Sequence, residues 1–173
     1  AMGSGDLAVL STAQLRSLTS TQLRAIDTAE IDGITTAALS QLTSTQVGLL
    51  TTAQLGALLT DQLQSLTTGQ LRGMTSAQIA ALGTDDFNAL TSDQIRSLSS
   101  SQIAGMTSTQ LGAMQSEDLA ALTTAQIRGI DPRDLAAFDT ADLGTLTSTQ
   151  VGAFTSTQLR ALNSADLDGL GTE

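Results

Sequence analysis

The sequence predicts an all-α solenoid, a superhelix of short capped helices with one helix per eight-residue repeat. Three observations predict it: a unit that returns every eight residues without a break, two apolar positions three apart in every unit, and helix-start residues opening every unit. Thr19–Ile26, Thr-Ser-Thr-Gln-Leu-Arg-Ala-Ile, shows the pattern. Numbered one to eight, the unit reads Thr/Asp, Ser/Thr, variable, Gln/Asp, Leu/Ile, variable, Ala/Gly/Ser, Leu/Ile/Met/Phe. Twenty complete copies run from Ser11–Leu18 to Asn163–Leu170.

Taken in order, Ala1–Ser4 read as a cloning remnant, and residues 5–173 as a single array, a fragment of a longer one. Asp6, Leu7 and Leu10 already stand at positions four, five and eight, and Gly171–Glu173 begin another unit. Positions five and eight are apolar in all twenty octads, from Leu15 to Leu170, and no insertion interrupts them. Position two is Ser or Thr in nineteen octads and Pro132 in the other; position four is Gln, Asp or Glu in nineteen and Ala38 in the other. With position one as the N-cap, position four becomes the third helical residue, whose side chain reaches back to the cap amide in a capping box. Position eight of one octad and position five of the next then form a hydrophobic staple. Pro132 agrees with this register, because proline suits the first helical position and Asp131 is a good cap before it. Leu59 and Gln115 depart from the cap set and predict frayed or water-capped helix starts, costing ~1 kcal/mol each. Position seven is Ala, Gly, Ser or Thr except at Gln41 and Leu49, so either something packs closely there or the backbone must turn.

One continuous helix would rotate the apolar pair by ~80° per octad and wind it around the whole surface, leaving no constant face to bury. A β-solenoid with two octads per coil is the alternative, but positions five and eight are one helical turn apart rather than alternating, and Gln, Ala and Gly are poor strand residues. A single octad cannot offset the entropy of ordering its own backbone, so neighbouring octads must stack to share a core. Ser65–Leu82 resembles Ser97–Met114 at a 32-residue offset, and Arg96, Arg128 and Arg160 extend that spacing. The offset records either four octads per superhelical turn or duplication of a four-octad block, the second being slightly preferred.

The chain has seven Arg, no Lys, seventeen Asp plus Glu and a net charge of -10, which repels nucleic acid and anionic surfaces. No segment approaches the length of a membrane-spanning run. Without His, Cys, Lys, Tyr or Trp, nucleophilic triads, Schiff bases, typical zinc sites and haem-ligating histidines are excluded by inventory, so no enzymatic function is expected. Carboxylates remain, and calcium is the one cation they would suit. Asp131, Asp134, Asp139 and Asp142 are the candidate ligands, with the pairs Asp85/Asp86 and Asp166/Asp168 beside them, although positions one and four are also where acids favour a helix start. Phe87, Phe138, Phe154, Met74, Met106 and Met114 stand at core positions. Six arginines (Arg16, Arg24, Arg72, Arg96, Arg128 and Arg160) stand at position six and face solvent or the next coil, where an acid could pair with them; Arg133 is the outlier.

Units such as those in Leu122–Ile130 and Leu146–Phe154 resemble the octapeptide arrays of very large bacterial secreted or surface proteins, some of which carry adhesin-like or haem-utilisation names. The resemblance implies a secreted or cell-surface setting and a spacer or adhesive role. The functional expectation is therefore a structural repeat that spaces or presents other modules, partnered by neighbouring repeats of its parent protein and by a cell-surface or protein partner that the sequence does not identify. The alternatives are an adhesive or calcium-binding module, and an ice- or surface-binding array of threonines, which requires a flat β face.

Overall fold

The computed structural model describes residues 9–170, in which nineteen α-helices run from α1 (Thr12–Ser17) to α19 (Ser164–Gly169), joined by one 3-10 turn at Asp134–Ala137. The helices are four to six residues long, one per octad. No strand occurs among the described residues, so the β-solenoid alternative is set aside. Ala1–Ser4, Asp6, Leu7 and Gly171–Glu173, on which the readings of a cloning remnant and of flanking part-octads rest, lie outside the described residues.

Each helix starts where the sequence places it. The position-one residue is extended, with φ −75° and ψ 162° at Thr19, and its hydroxyl accepts the amide of Gln22 while the Gln22 side chain accepts the Thr19 amide. The helices stop because position eight returns to extended backbone or a tight turn, closed in most octads by a bond from its amide to the position-five carbonyl, as in Leu66 to Leu63 at 3.2 Å. The next cap follows at once.

Positions five and eight fill a single interior that runs from Leu15 to Leu162. Ile31, Leu55, Ile79, Phe87, Ile103 and Ile127 are completely buried. The strongest helix contacts join octads three apart: Ser44–Leu49 with Thr68–Gly73, Ser92–Ser97 with Ser116–Ala121, and Thr140–Gly144 with Ser164–Gly169. Side-chain bonds described below reach four octads back, from Gln54 to Leu23 for example. A turn of the superhelix therefore closes between three and four octads, much as residues of an α-helix meet the third and fourth along. Four octads are not a whole turn; the 32-residue similarity coincides instead with the reach of the position-four side chain.

The small residues at position seven serve close packing rather than turning. Every described glycine has a negative φ. A β-carbon added to Gly129 would stand 2.7 Å from the Ser100 carbonyl oxygen, and one added to Gly169 would stand 2.8 Å from that of Thr140, in each case position two of the octad three earlier. Two other local expectations are corrected. Helices Thr60–Ser65 and Ser116–Ala121 are six residues long despite Leu59 and Gln115 at their caps, because tertiary burial of Leu63 and Leu119 holds them. The octad with Pro132 forms a 3-10 turn instead of an α-helix: Asp131 accepts the Arg133 amide at 2.9 Å, and the Asp134 amide bonds the Asp131 carbonyl at 2.9 Å, which tightens the winding to i→i+3. Leu135 and Phe138 nevertheless keep their places in the core.

These contacts separate two glycines. Gly129→Ala is expected to destabilise by about 1–3 kcal/mol, because backbone must move to admit the methyl group. Gly69→Ala, at an exposed helical position where the nearest atom to an added β-carbon is 3.9 Å away, is expected to stabilise by about 0.5–1 kcal/mol. Urea melts of the two variants beside the parent chain check both signs.

Candidate functional site in the glutamine seam

The side chains that join one coil to the next are the position-four glutamines. In Gln126 the Oε1 atom accepts the Thr123 amide at 2.8 Å and the Thr123 hydroxyl at 2.9 Å, completing the box at its own helix start. Its Nε2 group donates to the carbonyls of Ile95 and Leu98, both at 2.8 Å, at the end of a helix four octads earlier. Gln126 is 1% exposed. Every position-four glutamine from Gln46 to Gln158 likewise closes its own box and reaches carbonyls four octads back: Gln70 reaches Leu39 and Leu42, Gln102 reaches Leu71 and Met74, and Gln158 reaches Ile127 and Ile130. A carboxylate can close the box but has no proton to give to the second helix.

A second set of bonds runs the other way. The Nε atoms of Arg16, Arg24, Arg72 and Arg128 donate to the position-seven carbonyls of Gln41, Leu49, Ser97 and Ala153, three octads ahead, at 3.0–3.2 Å. Asn88 makes the same bond to Ala113 with its Nδ2 at 2.8 Å, leaving its buried Oδ1 without a partner. Position six therefore serves the neighbouring coil's backbone; the position-six bonds found run to carbonyls, where the sequence suggested acidic side chains.

Sequence reasoning found the box and missed the inter-coil half of the glutamine. The signal was present: thirteen of twenty position-four residues are Gln, although Glu or Asp would cap as well, and only the amide also donates.

The calcium candidates are held as helix-start acids. Asp139 and Asp142 accept each other's backbone amides, at 3.1 Å to Asp142 and 2.8 Å to Asp139, while Asp131 holds the Arg133 amide. Asp166 takes the Asn163 amide at 2.9 Å. Asp139 and Asp142 share one helix start, and no group of three or more ligating side chains forms among the described residues.

Two position-four acids differ from the rest. Burial raises the Asp118 carboxyl above its ordinary range, against the hydroxyl of Ser92, which donates to it at 2.8 Å and lowers it; nearby Glu117 raises it further. Burial likewise raises Asp86, opposed by a bond from the Gly83 amide and reinforced by Asp85. The folded chain thus holds these protons more tightly than the unfolded chain. The stability they favour is present at low pH and falls as pH rises from the ordinary aspartate value through the raised one.

Fold and seam together define a tandem-repeat α-solenoid whose unit is the octad and whose coils are joined by side-chain amides. The chain belongs to the ALTTAQ repeat family, which matches residues 1–35, 57–92, 79–116 and 129–164. Ala121–Gln126 spell the motif outright, from position seven of one octad to the glutamine at position four of the next. Among curated proteins none matches the chain.

Gln78 donates to Gly48 and Leu50 and accepts from Thr75, so Gln78→Ala removes an inter-coil link as well as a cap. A loss of about 2–4 kcal/mol is expected, since buried carbonyls are left unpaired. Gln14→Ala, which removes only a box, should cost ~1 kcal/mol. Chemical denaturation of both variants tests the difference. Asp118→Gln is expected to raise the melting temperature at pH 7 by restoring the donor, with the advantage shrinking as the pH of the melt is lowered towards the ordinary aspartate range.

Proposed function

We propose that this chain is a structural spacer, a module that sets the distance between other parts of a secreted or surface bacterial protein and carries no catalytic role. The observation that supports the reading is the repeated interlock: helix after helix packs on the one three octads ahead, and eleven octads reach the fourth behind through glutamine, with no loop or insertion between. Such an array lengthens with each octad added and keeps its width. The described coil itself is short, since its accessible surface of 8210 Å² is close to the roughly 7,900 Å² of a compact protein of its mass. Reach comes from the number of octads. No helix among the described residues is long and apolar enough to cross a membrane.

Adhesion through the exposed Ser, Thr and acidic surface is the second reading, with calcium as its cofactor if Asp131, Asp134, Asp139 and Asp142 take one. The threonine-array reading loses its premise, because it required a flat β face and the described residues are helical.

Small-angle scattering on this array and on two copies fused in register distinguishes spacer from globule. The maximum dimension should roughly double while the cross-section stays constant. Growth by only about a quarter, as for a compact body of doubled volume, would refute the spacer reading.

A further inference from the structure

We infer that two copies of this chain lie side by side, parallel and in register, with a line of arginines on each facing a line of acids on the other. Both lines run along the flank of the coil and are set by its winding. Arg16 reaches the carbonyl of Gln41, and Gln70 reaches Leu39 and Leu42 of that same octad. Arg72, in the octad of Gln70, reaches Ser97; Gln126 reaches Ile95 and Leu98 of the Ser97 octad; and Arg128, beside Gln126, reaches Ala153. These bonds trace one line that advances by three and four octads alternately, seven octads for about two turns. Arg16, Arg72 and Arg128 stand on it seven octads apart, with Arg96 between the last two.

The octads immediately before five members of this line are 27–34, 59–66, 83–90, 115–122 and 139–146, and they advance by the same alternating steps, so they form a second line beside the first. Gln62 ties the first two of them together through Ile31 and Ile34. This second line holds ten of the fifteen acids among the described residues and no arginine, whereas the first holds four arginines and one acid, Asp93. The acids keep the seven-octad period too, in Glu30, Asp86 and Asp142 at position four and in Asp61 and Glu117 at position three. Asp61, Asp85 and Glu117 are exposed, as are the four arginines. Yet among the described residues no arginine forms an ion pair with an acid. Arg16, Arg72 and Arg128 are instead pinned through Nε to a carbonyl, which orients each guanidinium and leaves its charge for a carboxylate from outside the chain.

The occupant is a second copy because that copy offers carboxylates in a line of the same period and winding as the arginines they meet. A two-fold axis parallel to the coils engages both lines of both copies at once, as flanking charges do between the two helices of a coiled coil, and the alternation of three and four octads is the counterpart of the heptad. The contact is isologous and closes as a dimer. Each exposed pair contributes little, so the association of single chains is weak and strengthens with the number of octads that pair. At physiological salt the repulsion between copies of net charge -10 is screened beyond about 8 Å, while charges in contact still attract.

Sedimentation equilibrium with charge-reversed chains tests the contact. As its concentration approaches ~1 mM the chain should rise from 17.7 kDa towards twice that mass, and ~1 M salt should weaken the association about tenfold or more. Arg72→Glu/Arg128→Glu chains should stay monomeric, and so should Asp61→Arg/Glu117→Arg chains. Mixed one to one, the two variants should form a heterodimer, which misfolded chains would not do. Because the chain has no cysteine, single-cysteine variants report the orientation. Gly69→Cys and Ala125→Cys, both at exposed position-three sites seven octads apart, are mixed and treated with a short bismaleimide. Homodimers of each should dominate over mixed dimers. A chain that is monomeric at every concentration, association untouched by charge reversal, variants that fail to pair on mixing, or mixed cross-links that equal the homodimers would each overturn the inference. Such a failure leaves the spacer reading standing, because that reading is tested on covalently joined copies.

Discussion

A single primary amide with both of its ends engaged is the interaction on which the rest of this structure depends. Helices of four to six residues are far too short to persist alone, and nearly all of their backbone groups are end groups. The problem the array has to solve is therefore termination rather than propagation. Gln94 shows the solution. Its Oε1 takes the Thr91 amide at 2.8 Å, and its Nε2 gives protons to Leu63 and Leu66 at 2.9 and 2.7 Å. One side chain thus begins its own helix and ends another, and burial at 3% exposure keeps water from competing for either bond. The apolar positions supply most of the driving force for stacking, but they are non-directional. The amide fixes which octad meets which.

The seam is not uniform along the chain. From Asp134 onward, position four mixes acids and glutamines, with Gln150 and Gln158 between the acids Asp134 and Asp142 and the acid Asp166. Each acid leaves one junction without its donor. The same region contains the 3-10 octad at Pro132 and, further along, the exposed Leu159 and Leu167. In a quasi-one-dimensional array, stability is a sum of unit and neighbour terms, so junctions lacking a donor are where local opening costs least. Asp118 is a contrasting case. It sits deep in the stack with Ser92 as its partner, so its cost appears as retention of a proton rather than as exposure.

Most of the fold was legible in the sequence, and the part that was not has a physical reason. The cap, the box and the core pair are local or periodic, so eight residues such as Thr19–Ile26 contain all the information needed to place them. Position seven was legible as small but ambiguous in cause; the negative φ of every described glycine and the approach of Gly129 to Ser100 settle it as packing. Pro132 was consistent with the register, yet a capping argument does not distinguish an α from a 3-10 start. The inter-coil reach of Gln126 to Ile95 and Leu98 was hidden because it depends on how the coil closes, which no single octad encodes. Only the preference for amide over carboxylate at position four recorded it. As for the candidate site, the individual roles of Asp131, Asp139 and Asp142 as helix-start acids could be read from their positions, whereas whether a third acid joins the Asp139 and Asp142 pair could not.

A turn that closes between three and four octads has a mechanical consequence. If four octads made a whole turn, identical octads would stack in columns and the seams would run parallel to the axis, free to shear along their length. With a fractional turn, each octad lies between two octads of the next coil, touching one through the position-two and position-seven backbone and the other through glutamine. Sliding one coil along its neighbour by a single octad would then break both kinds of contact at every octad of the coil at once. The glycines enforce this from the steric side, because only a small residue at position seven lets backbone meet backbone, as Gly129 meets Ser100. The glutamines enforce it from the polar side, because a shift would strand buried amides without acceptors. Stiffness therefore arises from register, and register arises from an eight-residue unit that carries one amide, one small residue and two core side chains in fixed order.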